Sequence, residues 1–369
     1  MPIQTEATVR ATLLRLSLSL VIASGGGAAA ASTPGRAERA RYLMGTVCEA
    51  TAYAETAGAA GAAIDAAFDE IARLESVLSD YRQDSELSRM NRQAAAGPFA
   101  CGPDLYGFLS AAADLSRKTG GAFDPTVAPL VQAWDLRGEG RIPTLRQIGA
   151  ALALVGASRL ELDPGLRTVR FGVQGMALDP GGLGKGYALD AAGRVLRQRG
   201  VTAALIDFGG QVLAIGEDPS ARDAVHRGGG WLVAIAHPAR RDEAAMTISL
   251  RDASASTSGN SERGVRRGGR LLGHIVDPRT GRPTSYEGSV TVISQSATEA
   301  DAFSTALIVM GVGRGLRWAD EQRDLRAVYL QPGPAGNLRV LPSAAFAAFL
   351  GNNPVRMVRT GNDNHGGIR

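Results

Sequence analysis

Strand-like and helix-like runs alternate irregularly along this chain, and hairpin signals interrupt them. Arg159–Leu162 and Arg167–Phe171, joined by Asp163-Pro164-Gly165, read as two antiparallel strands about a tight turn. Upstream, Tyr42 to Tyr53 reads as a strand, and Ile64, Phe68, Ile71, Leu74 and Leu78 recur at helical spacing. Leu105, Phe108, Leu109, Ala112 and Leu115 mark a second helix, stopped at Gly120-Gly121. Further on, the pattern predicts a helix from about Tyr187 to Arg199, then strands at Ala203–Asp207, Trp231–Ala236 and Val290–Ser294. A last helix is predicted from about Glu299 to Met310. Repeated βαβ units would produce a doubly wound parallel sheet. This order predicts an α+β domain instead, with largely antiparallel sheets flanked by helices.

The two ends differ from the middle. Arg10 and Arg15, the apolar run Leu16 to Ala23 and the small residues Ala28 to Ala31 make the pattern of a cleavable secretory signal over residues 1–31. That run is too short to span a bilayer. No paired arginines precede it and no cysteine sits near the cleavage region, which predicts the general secretory route and no lipid anchor. Residues 32–350 are expected to form the folded domain, exported to the periplasm, and 351–369 a polar tail. The charge excess is +4, spread along the chain rather than gathered in a stripe, which argues against nucleic acid as a partner. Cys48 and Cys101 are the two cysteines. In an oxidising compartment they could pair or simply be buried, and two cysteines do not make a metal site.

Of the 40 basic residues only Lys118 and Lys185 are lysines, and Lys185 stands in Asp179-Pro180-Gly181-Gly182-Leu183-Gly184-Lys185-Gly186-Tyr187. Glycines let backbone approach a ligand, and a compact ammonium beside a helix start suits an anion. A phosphate cradle and a plain turn with a solvated lysine both fit this loop. The Walker A pattern fails at Asp179 and Gly186, and the glycine spacing is not that of a dinucleotide fingerprint. Asp301 and Thr305, four apart on a predicted helix, project from one face. A carboxylate beside a hydroxyl suits Mg²⁺, although Thr298 with Asp301 also reads as a capping box. His274 sits in a polar loop running to Pro283, where it reads either as a general base or as a structural histidine. Gly120 to Val127 reads locally as a helix stop and a turn, with nothing that demands a ligand.

In this order the motifs resemble the ApbE family, the FAD:protein FMN transferases. The match includes Met44-Gly45-Thr46, Tyr81 ahead of Ser85 to Asn91, Gly121 to Val127, Asp179 to Tyr187, Gly209-Gly210, Thr257-Ser258-Gly259, His274 to Pro283, and Ala300-Asp301 with Thr305. It covers roughly residues 42 to 345. The resemblance implies a T-fold-like single catalytic domain and a Mg²⁺-dependent reaction. FAD is the substrate, AMP leaves, and FMN is joined through its phosphate to a Thr or Ser of an acceptor protein. It further implies FAD contacts from Met44, Tyr81, Ala122, Phe123, Asp124, Asp179, Lys185 and His274, with Met44 and Tyr81 against a ring. The implied metal set is Asp301, Thr305 and the Gly182 carbonyl. His274 is the expected base, with an acidic neighbour as the alternative. The implied acceptor is a subunit of a membrane respiratory or redox complex, which would bring this protein to the membrane. Pro180, Gln211 and Asn260-Ser261 depart from the family pattern without removing a proposed ligand. An FAD pyrophosphatase giving free FMN and AMP, and a non-catalytic periplasmic flavin-binding protein, remain the alternatives.

Overall fold

The structure, a computed structural model, describes residues 34–221, 229–260, 265–267, 270–333, 337–352 and 356–357. The expected signal, residues 1–31, lies outside the described residues, as does most of the expected tail. No described helix is long and apolar enough to cross a membrane.

The centre is an eight-stranded antiparallel sheet. From edge to edge it runs Gly35–Leu43, Thr46–Ala54, Ala203–Phe208, Gln211–Ile215, Ala253–Gly259, Ser289–Ser294, Arg326–Pro332, Leu338–Pro342. The described helices are α1 (Ala57–Leu78), α2 (Glu86–Gln93), α3 (Pro103–Lys118), α4 (Ala128–Trp134), α5 (Leu145–Leu152), α6 (Gly184–Gln198), α7 (Ala297–Met310), α8 (Val312–Glu321) and α9 (Ala344–Asn352). Both faces of the sheet are covered, and side-chain alternation divides them. Ala204, Ile206, Phe208, Leu213, Ile215, Val290 and Val292 join Phe68, Leu189, Leu307 and other helix residues in the larger core. Val212, Ala214, Ala253, Ala255 and Ile293 face the other way, onto a small sheet of Trp231–Ala236, Ala244–Leu250 and Arg356–Met357. The antiparallel α+β expectation holds, and the hairpin at 160–171 forms as Leu160–Asp163 against Thr168–Phe171.

Three local expectations need correction. The run from Tyr42 to Tyr53 is a hairpin rather than one strand, because Met44 and Gly45 adopt φ of 44° and 80° as a two-residue turn. An identical device at Gly209-Gly210, with φ of 62° and 85°, joins the strands at 203–208 and 211–215. Since Cys48 pairs with Phe208, the two turns share one end of the sheet. There a Cβ on Gly209 would lie 2.7 Å from the Thr46 hydroxyl, so only glycine fits. The second correction is that α6 begins at Gly184, so Lys185 and Gly186 belong to its first turn rather than to a preceding loop. The third concerns the start of α7. Ser296, not Thr298, is the N-cap, its hydroxyl accepting from the Glu299 N–H, and the Thr298 hydroxyl is turned away to Asp190 at 2.6 Å. Asp301 therefore closes no capping box.

Cys48 and Cys101 are both buried and free. Burial, with Asp207 and Glu49 close by, pushes the Cys48 thiol up to about 12. Burial and Glu86 push Cys101 up to about 11. Because the thiolate is the reactive form, neither cysteine of the native protein is expected to react with a thiol reagent at pH 8. Both should react once guanidinium unfolds the chain, and a stoichiometric colorimetric titration checks this.

Candidate functional site

The site is built where α6 crosses α7. A Cβ on Gly186 would lie 2.3 Å from the Ala297 carbonyl oxygen and 2.9 Å from the Asp301 Cβ, so the helices approach this closely only because residue 186 has no side chain. At that distance the Gly186 N–H donates to Asp301 Oδ2 at 3.0 Å. This N–H is one of those a helix start leaves without an intrahelical acceptor. Asp301 is only 4 % exposed. Burial raises its carboxyl pKa, while the Lys185 ammonium and the Gly186 N–H pull it back.

One turn along α7 stands Thr305, half-buried. A Cβ on Gly182 would lie 3.4 Å from the Thr305 hydroxyl oxygen and 3.3 Å from the Phe123 ring. Thus Phe123, Gly182, Thr305, Asp301 and Lys185, drawn from three separate segments, meet in one place. Two residues hold the start of α7: Asp190, which sequence reasoning passed over, and Gln211, which it marked only as a departure from the family pattern. Asp190 of α6 accepts from the Ser296 hydroxyl at 2.8 Å, from the Ala297 N–H at 2.8 Å and from the Thr298 N–H at 3.0 Å. Gln211, turned inward from the sheet, donates to the Ala297 carbonyl at 2.8 Å. Asp190 lies in an ordinary helix run that no motif marks, and Gln211 follows the Gly209-Gly210 motif at the start of a strand.

Three positions before Gly182, a second group of residues surrounds Asp179. Its N–H donates to the Pro125 carbonyl at 2.8 Å, and its Oδ1 accepts from the Gly181 N–H at 2.8 Å. Asn91 exchanges two hydrogen bonds with the backbone of the adjacent Leu178, at 2.9 and 3.0 Å. Asp179, Leu178 and Asn91 line a cleft of ≈ 390 Å³ together with Asp80, Val131 and Arg137. Tyr81, 72 % exposed, stands beside it with the Arg137 guanidinium over its ring.

The remaining expected residues are placed as follows. Ala122 and Phe123 are buried, so what they offer a ligand is backbone. The Asp124 carboxylate is committed to its own loop, accepting from the Thr126 N–H at 2.8 Å, the Thr126 hydroxyl at 2.5 Å and the Ala157 N–H at 2.9 Å. Met44 stands half-buried in the first hairpin turn. His274 is half-buried on the loop that leads to Pro283. That loop is tied down by the Trp134 indole donating to the Gly281 carbonyl at 2.7 Å, and by Arg279, which pairs with Asp277 and donates to the Val309 carbonyl of α7 at 3.1 Å. Among the described residues there is no cluster of three or more His, Cys, Asp or Glu able to hold a metal by themselves. The candidate cation site is instead one carboxylate with a hydroxyl and a backbone carbonyl, a set of oxygen donors that suits Mg²⁺.

The pattern of the ApbE family matches residues 44–329. An "FAD:protein FMN transferase" of Treponema pallidum (strain Nichols) is 31 % identical over 304 residues, covering 80 % of this chain and 84 % of that protein. One from Salmonella typhimurium is 31 % identical over 281 residues, covering 74 % of this chain and 78 % of that protein. The solved structure of the Pseudomonas stutzeri flavinyl transferase ApbE in its apo form has a TM-score of 0.74 at 27 % identity, covering 86 % of this chain and 98 % of its own. The ApbE protein of Thermotoga maritima has a TM-score of 0.75 at 26 % identity, covering 85 % and 99 %.

The helix crossing leads to a sharp expectation. Replacing Gly186 with Ala forces one methyl group into backbone, which should cost about 1–3 kcal/mol of stability. It should also push Asp301 away from its N–H donor. Thermal unfolding of Gly186→Ala beside Gly184→Ala, whose added Cβ meets only the Pro180 side chain at 3.6 Å, separates this clash from a generic glycine effect.

Proposed function

The chain belongs to the ApbE family, and from that premise we propose that it is an FAD:protein FMN transferase. In this reading it moves the FMN moiety of FAD onto a Thr or Ser hydroxyl of an acceptor protein and releases AMP. The observation that carries it is the meeting of Lys185, Gly182, Asp301 and Thr305 at the α6–α7 crossing. This happens in a chain with 31 % identity to a named FAD:protein FMN transferase across 80 % of its length.

The chemistry follows from the charges. The acceptor oxygen attacks the phosphorus on the FMN side of the diphosphate. The bond from that phosphorus to the bridging oxygen breaks, and AMP leaves with the electron pair. Because such transfers depend on positioning and on neutralising phosphoryl oxygens, the relevant groups are cations and oriented donors. Lys185, in the first turn of α6, places an ammonium and a helix start toward the diphosphate. Asp301, Thr305 and the Gly182 carbonyl would hold Mg²⁺, whose charge, when bound, neutralises phosphate oxygens. Asp301 suits that role because it is buried with one oxygen on the Gly186 N–H, so its orientation is fixed in advance. The acceptor hydroxyl needs a proton acceptor, and His274 is assigned that part on the family resemblance. Asp179 and Tyr81 are assigned to the dinucleotide, and the signal pattern of residues 1–31 supports a periplasmic site of action. There the acceptor would be an exported subunit of a membrane respiratory or redox complex.

Incubation of the purified protein with FAD, Mg²⁺ and a candidate acceptor should give a flavin-fluorescent protein band on a denaturing gel, with AMP released in equal amount. Free FMN without such a band would sink the transferase reading in favour of hydrolysis. Asp301→Asn should lower AMP release by at least about a hundredfold, since the charge stabilisation a bound metal supplies is worth several kcal/mol. The same variant should abolish the rise in melting temperature that Mg²⁺ confers with FAD. Undiminished AMP release from Asp301→Asn would show that the metal set is misassigned.

A further inference from the structure

Asp179 and Tyr81 are joined in the fold by a residue that no motif marks. Arg137 follows α4, and its Nη2 lies 2.5 Å from Asp80 Oδ2 and 2.8 Å from Asp179 Oδ2. Its guanidinium carbon stands 4.8 Å from the centre of the Tyr81 ring. Both acids are nearly buried, 11 % exposed, while Arg137 is 35 % exposed. Burial raises the Asp80 carboxyl pKa, and the charge on Asp179 adds to that, with Arg137 acting against both. Two carboxylates this close are compatible because one cation lies between them.

The same guanidinium decides how Asp179 faces the cleft. Asp179 Oδ1 is already taken by the Gly181 N–H, so the direction of the carboxylate depends on what holds Oδ2. Arg137 holds it, with Nη2 at 2.8 Å. Arg137 also lines the cleft next to Asp179, which Tyr81 does not. A lysine could not do the same, since a point charge has no plane to lie on an aromatic face.

We propose that Arg137 is a positioning residue of the dinucleotide site, holding the Asp179 carboxylate and the Tyr81 ring in the orientation that binds FAD. It acts on affinity for FAD and not on the transfer step, because it clamps Asp179 and Tyr81 rather than Lys185, Asp301 or Thr305. The inference rests on the assignment of this cleft to FAD.

The test is a double-mutant cycle on FAD affinity, read by flavin fluorescence with the Mg²⁺-loaded protein, alongside kinetics with FAD varied. Arg137→Gln should weaken FAD binding about tenfold, the scale of losing one charge-assisted clamp. The KM for FAD should rise in step while kcat stays within about twofold. Arg137→Lys should recover part of the affinity. In the Asp179→Ala background, Arg137→Gln should cost clearly less than in the wild type, because one of the two groups it positions is already gone and only the Tyr81 contact remains to be lost. If Arg137→Gln unfolds at a markedly lower temperature, Asp80→Asn/Arg137→Gln removes the facing charge and is compared with Asp80→Asn alone, with the same loss expected. Unchanged FAD affinity in these variants overturns the proposal, as does an equal loss with and without Asp179. A wild-type protein that binds FAD but transfers nothing would refute the transferase reading while leaving this cycle to decide the role of Arg137. A wild-type protein that binds no FAD refutes both.

Discussion

The site depends on one close contact between helices, that of α6 with α7. At Gly186 the backbone of α6 meets the Ala297 carbonyl and the Asp301 side chain of α7 at a distance no Cβ would tolerate. The approach puts an unsatisfied N–H of a helix start against a buried carboxylate, so a packing constraint becomes an electrostatic one. Everything else near the site works to keep that crossing in place. Asp190 of α6 clasps the first turn of α7, and Gln211 does so from the sheet. The helix carrying Asp301 and Thr305 is thus fixed at its start, where a small rotation would move both residues.

The sheet supplies the rigidity beneath. Its strands at 211–215 and 289–294 are buried on both faces, so shifting either one disturbs two cores at once. Several polar residues in that interior are paired across strands or onto a helix. Ser254 donates to the Val212 carbonyl, Thr257 meets Thr291 at 2.8 Å, and Ser258 meets Ser304 of α7 at 2.8 Å. The last pair joins the sheet to the residue beside Thr305, so α7 is bonded to the sheet as well as packed on it.

How much of this was readable from residues alone varied with the range of the interaction. The hairpin at 160–171 was legible because its turn chemistry is local, as were helices whose apolar residues keep a 3.6 spacing. The strand Ala253–Gly259 was not, because a run of Ala, Ser and Thr carries no apolar period, and its burial depends on hydroxyl partners up to 48 residues away. Among the site residues, Lys185, Asp301 and Thr305 were legible as chemistry, yet the purpose of Gly186 was misread. A glycine in a ligand-like loop suggests room for a phosphate, whereas here it makes room for a helix. Asp190 and Arg137 gave no signal at all, since the contact of Asp190 with Ala297 spans 107 residues and that of Arg137 is formed by two acids from separate segments.

The near-absence of lysine from this chain has a practical consequence beyond recognition of an anion. Apart from the amino terminus, amine chemistry can reach only Lys118 and Lys185. Lys118 is engaged by Glu299 at 2.9 Å on the outside of α7, while Lys185 faces the buried Asp301. An acylating or reductively methylating reagent would therefore write a two-site record on a protein of 369 residues. One mark would report the outer surface of α7 and the other the first turn of α6 beside Asp301, so that a ligand bound there could be followed by the amine it covers.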